Sequence, residues 1–323
     1  MISNPISTID LEPLWGKSQG VYEVAEQLKQ SFKTLGFAYI KNHHIPSQLL
    51  ADMFTVAEKF HALPRDIKMR IVQNKTFRGF LPANESQVKI STEGASTRPN
   101  FSEAFIMMFD ADESRPDFAT GDSLAGPNQW LDDMPELKET MCAYRDAMVA
   151  LGFKLLEAFS VAFGLEPTAL HHFFSDPTYF LRLHKYPPQP ANAPADQFGV
   201  APHTDIGFMT LVAQDDVGGL EVRHPEKGWL AVPYVPDTFV LNAGDMLHRW
   251  TGGTFASSPH RVLNNHSGKT RYSVPFFFDP NMHTQIETLS TCIASGNGKT
   301  FPPIMYGDYV MNRVTKNYSR LKM

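Results

Sequence analysis

The sequence predicts an α+β protein with a mainly β core: a largely helical first half followed by a sandwich or barrel of short strands. Two observations carry this. Up to about residue 170, apolar residues recur every three or four positions, the period of an amphipathic helix. From about 178 to 280, β-branched and aromatic residues are broken every few positions by Gly, Pro, Asn and Asp, the texture of strands joined by turns. With 42% hydrophobic residues in 323, the chain has ample material for a core, so disorder is excluded.

In the first half, a helix is predicted over Val21–Leu35, followed by a buried strand at Gly36–Ile40. A second helix runs from Ser47 towards His61, with Ser47 as its N-cap after Pro46. The longest helix starts near Pro135. Leu137, Met141, Tyr144, Met148, Leu151, Leu155 and Phe159 form one stripe along it, and Gly164 ends it. Between these helices, Phe77–Pro127 reads as a long irregular stretch, and loops of that length in compact domains are commonly functional or mobile.

In the second half, strands are predicted at Thr178–Tyr186, Gly207–Gln214, Gly219–Val222, Trp229–Val232, Thr238–Leu241, Arg261–Asn264 and Tyr272–Phe278. Turn signals separate them. Pro302–Leu321 is expected to hold a closing helix. The chain is expected to be one domain over 1–323: a helical region to 177, a strand-rich core over 178–281 and an extension over 282–323.

Charge and cysteine content exclude some classes. A net charge of −5 without basic runs does not suit a nucleic-acid partner, because phosphate binding needs clustered Lys and Arg. Cys142 and Cys292 cannot build a disulfide framework. The start lacks a basic n-region and an apolar h-region, and the apolar stretch Ala147–Leu165 carries Lys154 and Glu157. A cytoplasmic protein without a membrane partner is expected; the composition leaves oligomeric state open.

The sharpest local feature is His203-Thr204-Asp205, with His260 lying 55 residues beyond Asp205. Alternate residues of a strand share a face, so His203 and Asp205 can bind one ion, and a folded-over sheet can return His260 to them. Two imidazoles and a carboxylate leave half of an octahedron open, which suits non-haem Fe(II). The triplet alone is a weak signal, since chance produces it in chains with twelve histidines.

A second feature is Arg271-Tyr272-Ser273, eleven residues after His260. Arg271 and Ser273 alternate onto one face, and a guanidinium beside a hydroxyl receives a carboxylate well. In isolation such a pair is a surface ion pair beside a solvated serine. Here the strand continues as VPFFF, which argues for a buried arginine in need of an anion.

With these residues in view, the chain resembles the isopenicillin N synthase-like family of Fe(II)- and 2-oxoglutarate-dependent oxygenases. The matching order is YPPQP at 186–190, PHTD at 202–205, GGLEV at 218–222, Trp229 with VP at 232–233, LNAGD at 241–245, SPHRV at 258–262 and RYSVPFF at 271–277. GFAYIKNHHIP at 36–46, FHALPRDIK at 60–68 and RGFLP at 78–82 also match, so the likeness spans nearly the whole chain. The resemblance implies a double-stranded β-helix, a distorted jelly roll, flanked by helices mostly from the N-terminal half. It implies iron ligands at His203, Asp205 and His260, and a clamp of Arg271, Ser273 and Tyr186 on the distal carboxylate of 2-oxoglutarate. It implies oxidation, hydroxylation by default, of a small molecule with release of succinate and CO2; desaturation and ring closure need only another fate of the substrate radical.

Two alternatives stand beside this. Some family members share the ligand set and the arginine–serine pair but use no 2-oxoglutarate. A barrel that binds a small ligand without turnover is the other. Where many plant members carry Asn-Tyr-Tyr, this chain has His184-Lys185-Tyr186. His184 is open between a pocket base, a substrate contact and a packed strand histidine, with Lys185 on the other face. Arg182 shares the His184 face and is the first candidate for the primary substrate, with a structural ion pair as its alternative. Phe277 is a further candidate for the substrate side, and its neighbours Phe276 and Phe278 fit either pocket or core. Arg98 and Phe105 are weaker candidates. Asn242, Gly244 and Asp245 read as a turn, and His171-His172 as a helix-end feature.

Overall fold

The computed structural model describes residues 6–16, 18–110, 124–190, 192–294 and 298–318. Helix α1 (Gly20–Thr34) buries Val24, Ala25, Leu28 and Phe32. Helix α2 (Ser47–Ala62) starts one residue earlier than a Ser47 cap requires. Pro46 takes the N-cap with φ −57° and ψ 130°, and no side chain caps the helix. Ser47 is therefore already inside, because the proline's fixed φ sets the chain's entry. A short α3 (Arg65–Met69) follows. The predicted stripe is buried along α4 (Pro135–Ala162), and Gly164 lies just beyond it at φ +79°. α1 and α2 pack on α4, and α2 and α4 cover one sheet.

That sheet has eight strands. In chain order they are β1 (Thr8–Asp10), β2 (Phe37–Lys41), β3 (Gly79–Leu81), β4 (Glu103–Met108), β5 (Thr178–Tyr186), β7 (Met209–Gln214), β10 (Phe239–Ala243) and β12 (Arg271–Asp279), arranged β1-β2-β10-β7-β12-β5-β4-β3. A four-stranded sheet is built from β6 (Val200–His203), β8 (Leu220–His224), β9 (Gly228–Ala231) and β11 (His260–Val262), arranged β6-β11-β8-β9. All pairings in both sheets are antiparallel except β1 with β2. This is the jelly-roll core with helices on its large sheet.

The seven strands expected in the second half all form, with ends within about two residues of those expected. The stretch 77–127 is less irregular than expected, because β3 and β4 lie in it and extend the large sheet beyond β5. β4 reads EAFIMM, and its register puts Ile106 beside Arg182 and Ala104 beside His184. Both faces of this strand are covered, so it lacks the alternation that marks a half-exposed strand. Residues 111–123 of the stretch lie outside the described residues.

The expected turn at Asn242–Asp245 is also revised. Asn242 belongs to β10, and Asp245 opens helix α5 (Asp245–Trp250). His171 and His172 sit in a single 3-10 turn. A short α6 (Ser290–Ala294) precedes the closing helix α7 (Tyr306–Asn317); the expected end of that helix at 319–321 lies outside the described residues. Among the described residues no helix is long and apolar enough to cross a membrane. Both cysteines are free thiols.

Candidate active site

One cavity opens between the two sheets, and α7 contributes to its wall. Its geometry starts with β5. Arg182, His184 and Tyr186 alternate on the inner face and line the cavity. Lys185 points the other way, to Glu103 at 3.3 Å, beneath α2. On β12, Arg271 is registered with Tyr186, and Ser273 with His184. Phe277 lines the cavity too, whereas Phe276 and Phe278 are 0% exposed and belong to the core.

His203, Asp205 and His260 bring one ligand atom each to within 4.8 Å of one another. The two histidines are directly registered across β6 and β11. Asp205 does not share the strand of His203: β6 stops at His203, and Asp205 lies in the link between β6 and β7. Gly207 has no side chain, which lets the Asp279 carboxylate sit against the backbone there; a Cβ would overlap it. Asp279 uses that space to accept the Phe208 N–H at 2.6 Å and the Tyr306 O–H at 2.8 Å.

The donor set fits a divalent metal. His203 Nδ1 bonds the Ala201 carbonyl at 2.9 Å and His260 Nδ1 the Ser258 carbonyl at 3.3 Å. Each bond places the ring proton on Nδ1 and frees Nε2. These Nε2 atoms lie 3.7 and 3.6 Å from Asp205 Oδ1. Asp205 Oδ2 is occupied by donors, Thr210 Oγ1 and Asn242 Nδ2, both at 2.6 Å, so Oδ1 is the oxygen that faces the imidazoles. Burial pushes His203 down to about 4, with His260 adding to the effect, so its ring is neutral near pH 7. Burial raises the Asp205 carboxyl, but the imidazoles of His260 and His203, with Thr210 and Asn242, outweigh it and hold it below its ordinary value. A neutral imidazole and an ionised carboxylate are forms that bind metal.

Further along the cavity, Arg271 is 2% exposed. Its Nη2 reaches Gln214 Oε1 at 3.4 Å, its guanidinium lies 4.6 Å from the Tyr186 ring, and its Nε and Nη1 are buried without a partner. Ser273 Oγ lies 3.4 Å from the Tyr186 hydroxyl. A buried cation with two open donors calls for an anion. His184 stacks on Tyr186 with ring centroids 5.5 Å apart, and its Nδ1 has no partner. Burial, then the charge of Arg182, holds its ring well below the ordinary histidine value.

The two weak candidates of the middle segment fall away. Arg98 is an exposed partner of Asp196 at 2.7 Å, and Phe105 is a core ring against Phe60 and Trp130. The residues missed from sequence are Thr210 and Asn242 at the carboxylate, Gln214 at Arg271, and the α7 residues Arg313 and Tyr306 with Tyr318 just beyond it. For Asn242 a signal existed, its place in LNAGD. The α7 residues carry none, because they reach the cavity only by tertiary packing.

Residues 177–280 match the 2OG-Fe(II) oxygenase superfamily, and residues 6–133 match the family described as the N-terminal part of the non-haem dioxygenase in morphine synthesis. The homoarginine-6-hydroxylase 2-ODD-C23 of Glycine max is 32% identical over 330 residues, covering 97% of each chain. The 2-oxoglutarate-dependent dioxygenase citB of Monascus ruber is 32% identical over 333 residues, covering 98% of each. Among solved structures, a full-length Neurospora crassa protein in complex with alpha-KG and 5-formyluracil superposes with a TM-score of 0.83 at 27% identity, covering 97% of this chain and 96% of that one. A putative 2OG-Fe(II) oxygenase from Caulobacter crescentus gives 0.83 at 27% identity, covering 97% and 100%. The chain belongs to the 2OG-Fe(II) oxygenase superfamily. It is a non-haem dioxygenase that acts on a small molecule, with Fe(II) as cofactor and 2-oxoglutarate as co-substrate.

Proposed function

We propose that the chain works as a single oxygenase domain that hydroxylates a small organic molecule. In this proposal His203, Asp205 and His260 hold the iron, and Arg271, Ser273 and Tyr186 hold the distal carboxylate of 2-oxoglutarate. The bound metal, with 2-oxoglutarate and O2, supplies the oxidant for a substrate C–H bond and releases succinate and CO2. The protein's own residues do the rest. Thr210 and Asn242 keep Asp205 turned towards the imidazoles. Arg271 gives its two open N–H groups to the carboxylate, and Ser273 and Tyr186 add hydroxyls. His184, Arg182 and Phe277 shape the substrate side, on the rungs beyond Tyr186.

The observation that carries the carboxylate clamp is Arg271: fully buried, with Nε and Nη1 unpartnered. An oxidase without a co-substrate would carry the same arginine–serine pair, so the choice of 2-oxoglutarate rests on the likeness to 2-oxoglutarate-dependent dioxygenases, and the intact donor set favours turnover over mere binding. A cytoplasmic setting, with neither nucleic acid nor membrane as partner, goes with the two free thiols and the net charge of −5. A substrate screen reading succinate release, with mass spectrometry of the product, tests the proposal. Gain of one oxygen supports hydroxylation; loss of two hydrogens replaces it with desaturation or ring closure. Oxidation without succinate refutes the co-substrate.

A further inference from the structure

Once 2-oxoglutarate is given to Arg271, one cation on the cavity wall is left over among the described residues. Arg182 lies on the same face of β5 as Tyr186, four residues away, so about 13 Å of strand separates them at 3.3 Å per residue. Arg271 is registered with Tyr186, near the far end of that span. The other cavity arginine, Arg313, is engaged by Asp245 at 3.5 Å and Tyr309 at 3.3 Å. Among the described residues Arg182 has no such anion. Its one hydrogen bond among the described residues runs from Nη1 to the Tyr318 hydroxyl at 3.2 Å, and its Nε is buried without a partner.

The surroundings of Arg182 are aromatic. Its guanidinium carbon lies 5.0 Å from the Phe277 ring centre, 5.6 Å from Phe77 and 6.0 Å from Tyr318. Rings around a guanidinium hold its orientation and keep water off, while leaving donors in its plane free to bind. The ligand that matches planar N–H donors is a carboxylate, in a charge-assisted pair. The cavity's own carboxylates do not compete: Asp205 faces the imidazoles, and Asp279 is held by Phe208 and Tyr306. Phe180, Val310 and Val314 also line the cavity and offer apolar surface.

We infer that Arg182 is the anion subsite for the primary substrate, and that this substrate is a small carboxylic acid with an apolar body. The inference rests on the site assignment above and adds the chemical class of what is oxidised. The plain alternative is that Arg182 only pins Tyr318.

The test uses enzyme loaded with Fe(II), without O2, in two calorimetric titrations. The first adds 2-oxoglutarate. The second, at saturating 2-oxoglutarate, adds benzoate, phenylacetate or cyclohexanecarboxylate and, separately, their carboxamides. An acid is expected to bind about ten- to a hundredfold tighter than its amide. Arg182→Gln should abolish that preference and leave the 2-oxoglutarate titration unchanged. Arg182→Lys, which keeps the charge and the stem and guards against a misfolded glutamine variant, should keep only part of it. Amides binding as well as acids, no acid binding, or an unchanged preference in either variant overturns the inference alone. A parent protein that takes up no 2-oxoglutarate in the first titration overturns the site assignment and this inference together.

Discussion

Asn242 donates its amide N–H to Asp205 Oδ2 at 2.6 Å, from a strand 37 residues further along the chain. The bond is fully buried and works with Thr210 to leave Oδ1 as the free oxygen. Asn242→Ala should therefore weaken Fe(II) binding by about 10- to 100-fold, the usual cost of losing a group that orients a ligand. Asn242→Asp should do worse, because it sets a second carboxyl against the first. Iron affinity by anaerobic titration measures both. An unchanged affinity in Asn242→Ala would mean that Thr210 alone orients Asp205.

Arg271→Met should weaken 2-oxoglutarate by about ten- to a hundredfold or more, since a hydrogen bond to a charged group is worth about 1.5–3 kcal/mol. Arg271→Lys should recover part of the loss, and Ser273→Ala should cost less than either. Titration of the Fe(II)–2-oxoglutarate absorption band without O2 gives the Kd. Equal binding by Arg271→Met and the parent would move the co-substrate elsewhere.

Asp279 should make the fold less stable as pH rises. Burial pushes its carboxyl up to about 7 from 3.8. Between those values the folded chain holds a proton that the unfolded chain has released, so stability falls as pH climbs from about 4 to about 7 and is level above. The total is on the order of a few kcal/mol. Asp279→Asn mimics the protonated form and keeps partners for Phe208 and Tyr306. Relative to the parent, its Tm should rise between pH 5 and pH 8; a constant difference would show that Asp279 does not titrate in that range.

Glu103 should matter to stability and little to the site. Its Oε1 lies 3.0 Å from His61 Nδ1, 2.9 Å from Lys68 Nζ and 3.3 Å from Lys185 Nζ. Burial raises this carboxyl, but His61 and Lys68 prevail and hold it down at about 2. Its contribution is thus complete above about 4.5 and is lost as pH falls towards about 2. Glu103→Gln leaves two lysines without a counter-charge and should cost about 3 kcal/mol, the lower end for a broken buried pair. Denaturant unfolding at pH 7 checks it, with the 2-oxoglutarate Kd as the quantity that should not move.

Much of the site is legible as sequence because its residues sit on strands whose period is two. That period alone puts Arg271 with Ser273, and Arg182 with His184 and Tyr186, on common faces. The same period misleads at Asp205, which lies beyond the end of β6, in the link to β7, and is not carried to His203 by strand alternation. It also fails for β4, where burial on both faces removes the alternation. Phe277 is separated from Phe276 and Phe278 only by the register of β12, which decides cavity or core.

By itself the sequence determined the helical first half, the seven expected strands of the second half and the donor types: two imidazoles, one carboxylate and a buried arginine, all legible from local spacing and residue chemistry. Only the tertiary structure decided which donors are spoken for. Asn242 left the predicted turn to hold Asp205, Gln214 took one corner of Arg271, and α7 brought Arg313 beside Asp245 while Arg182 was left without an anion among the described residues. The physical reason is that satisfaction of a buried polar group is a property of its neighbours in space. Those neighbours come from strands and helices tens to more than a hundred residues apart, beyond the reach of any local pattern.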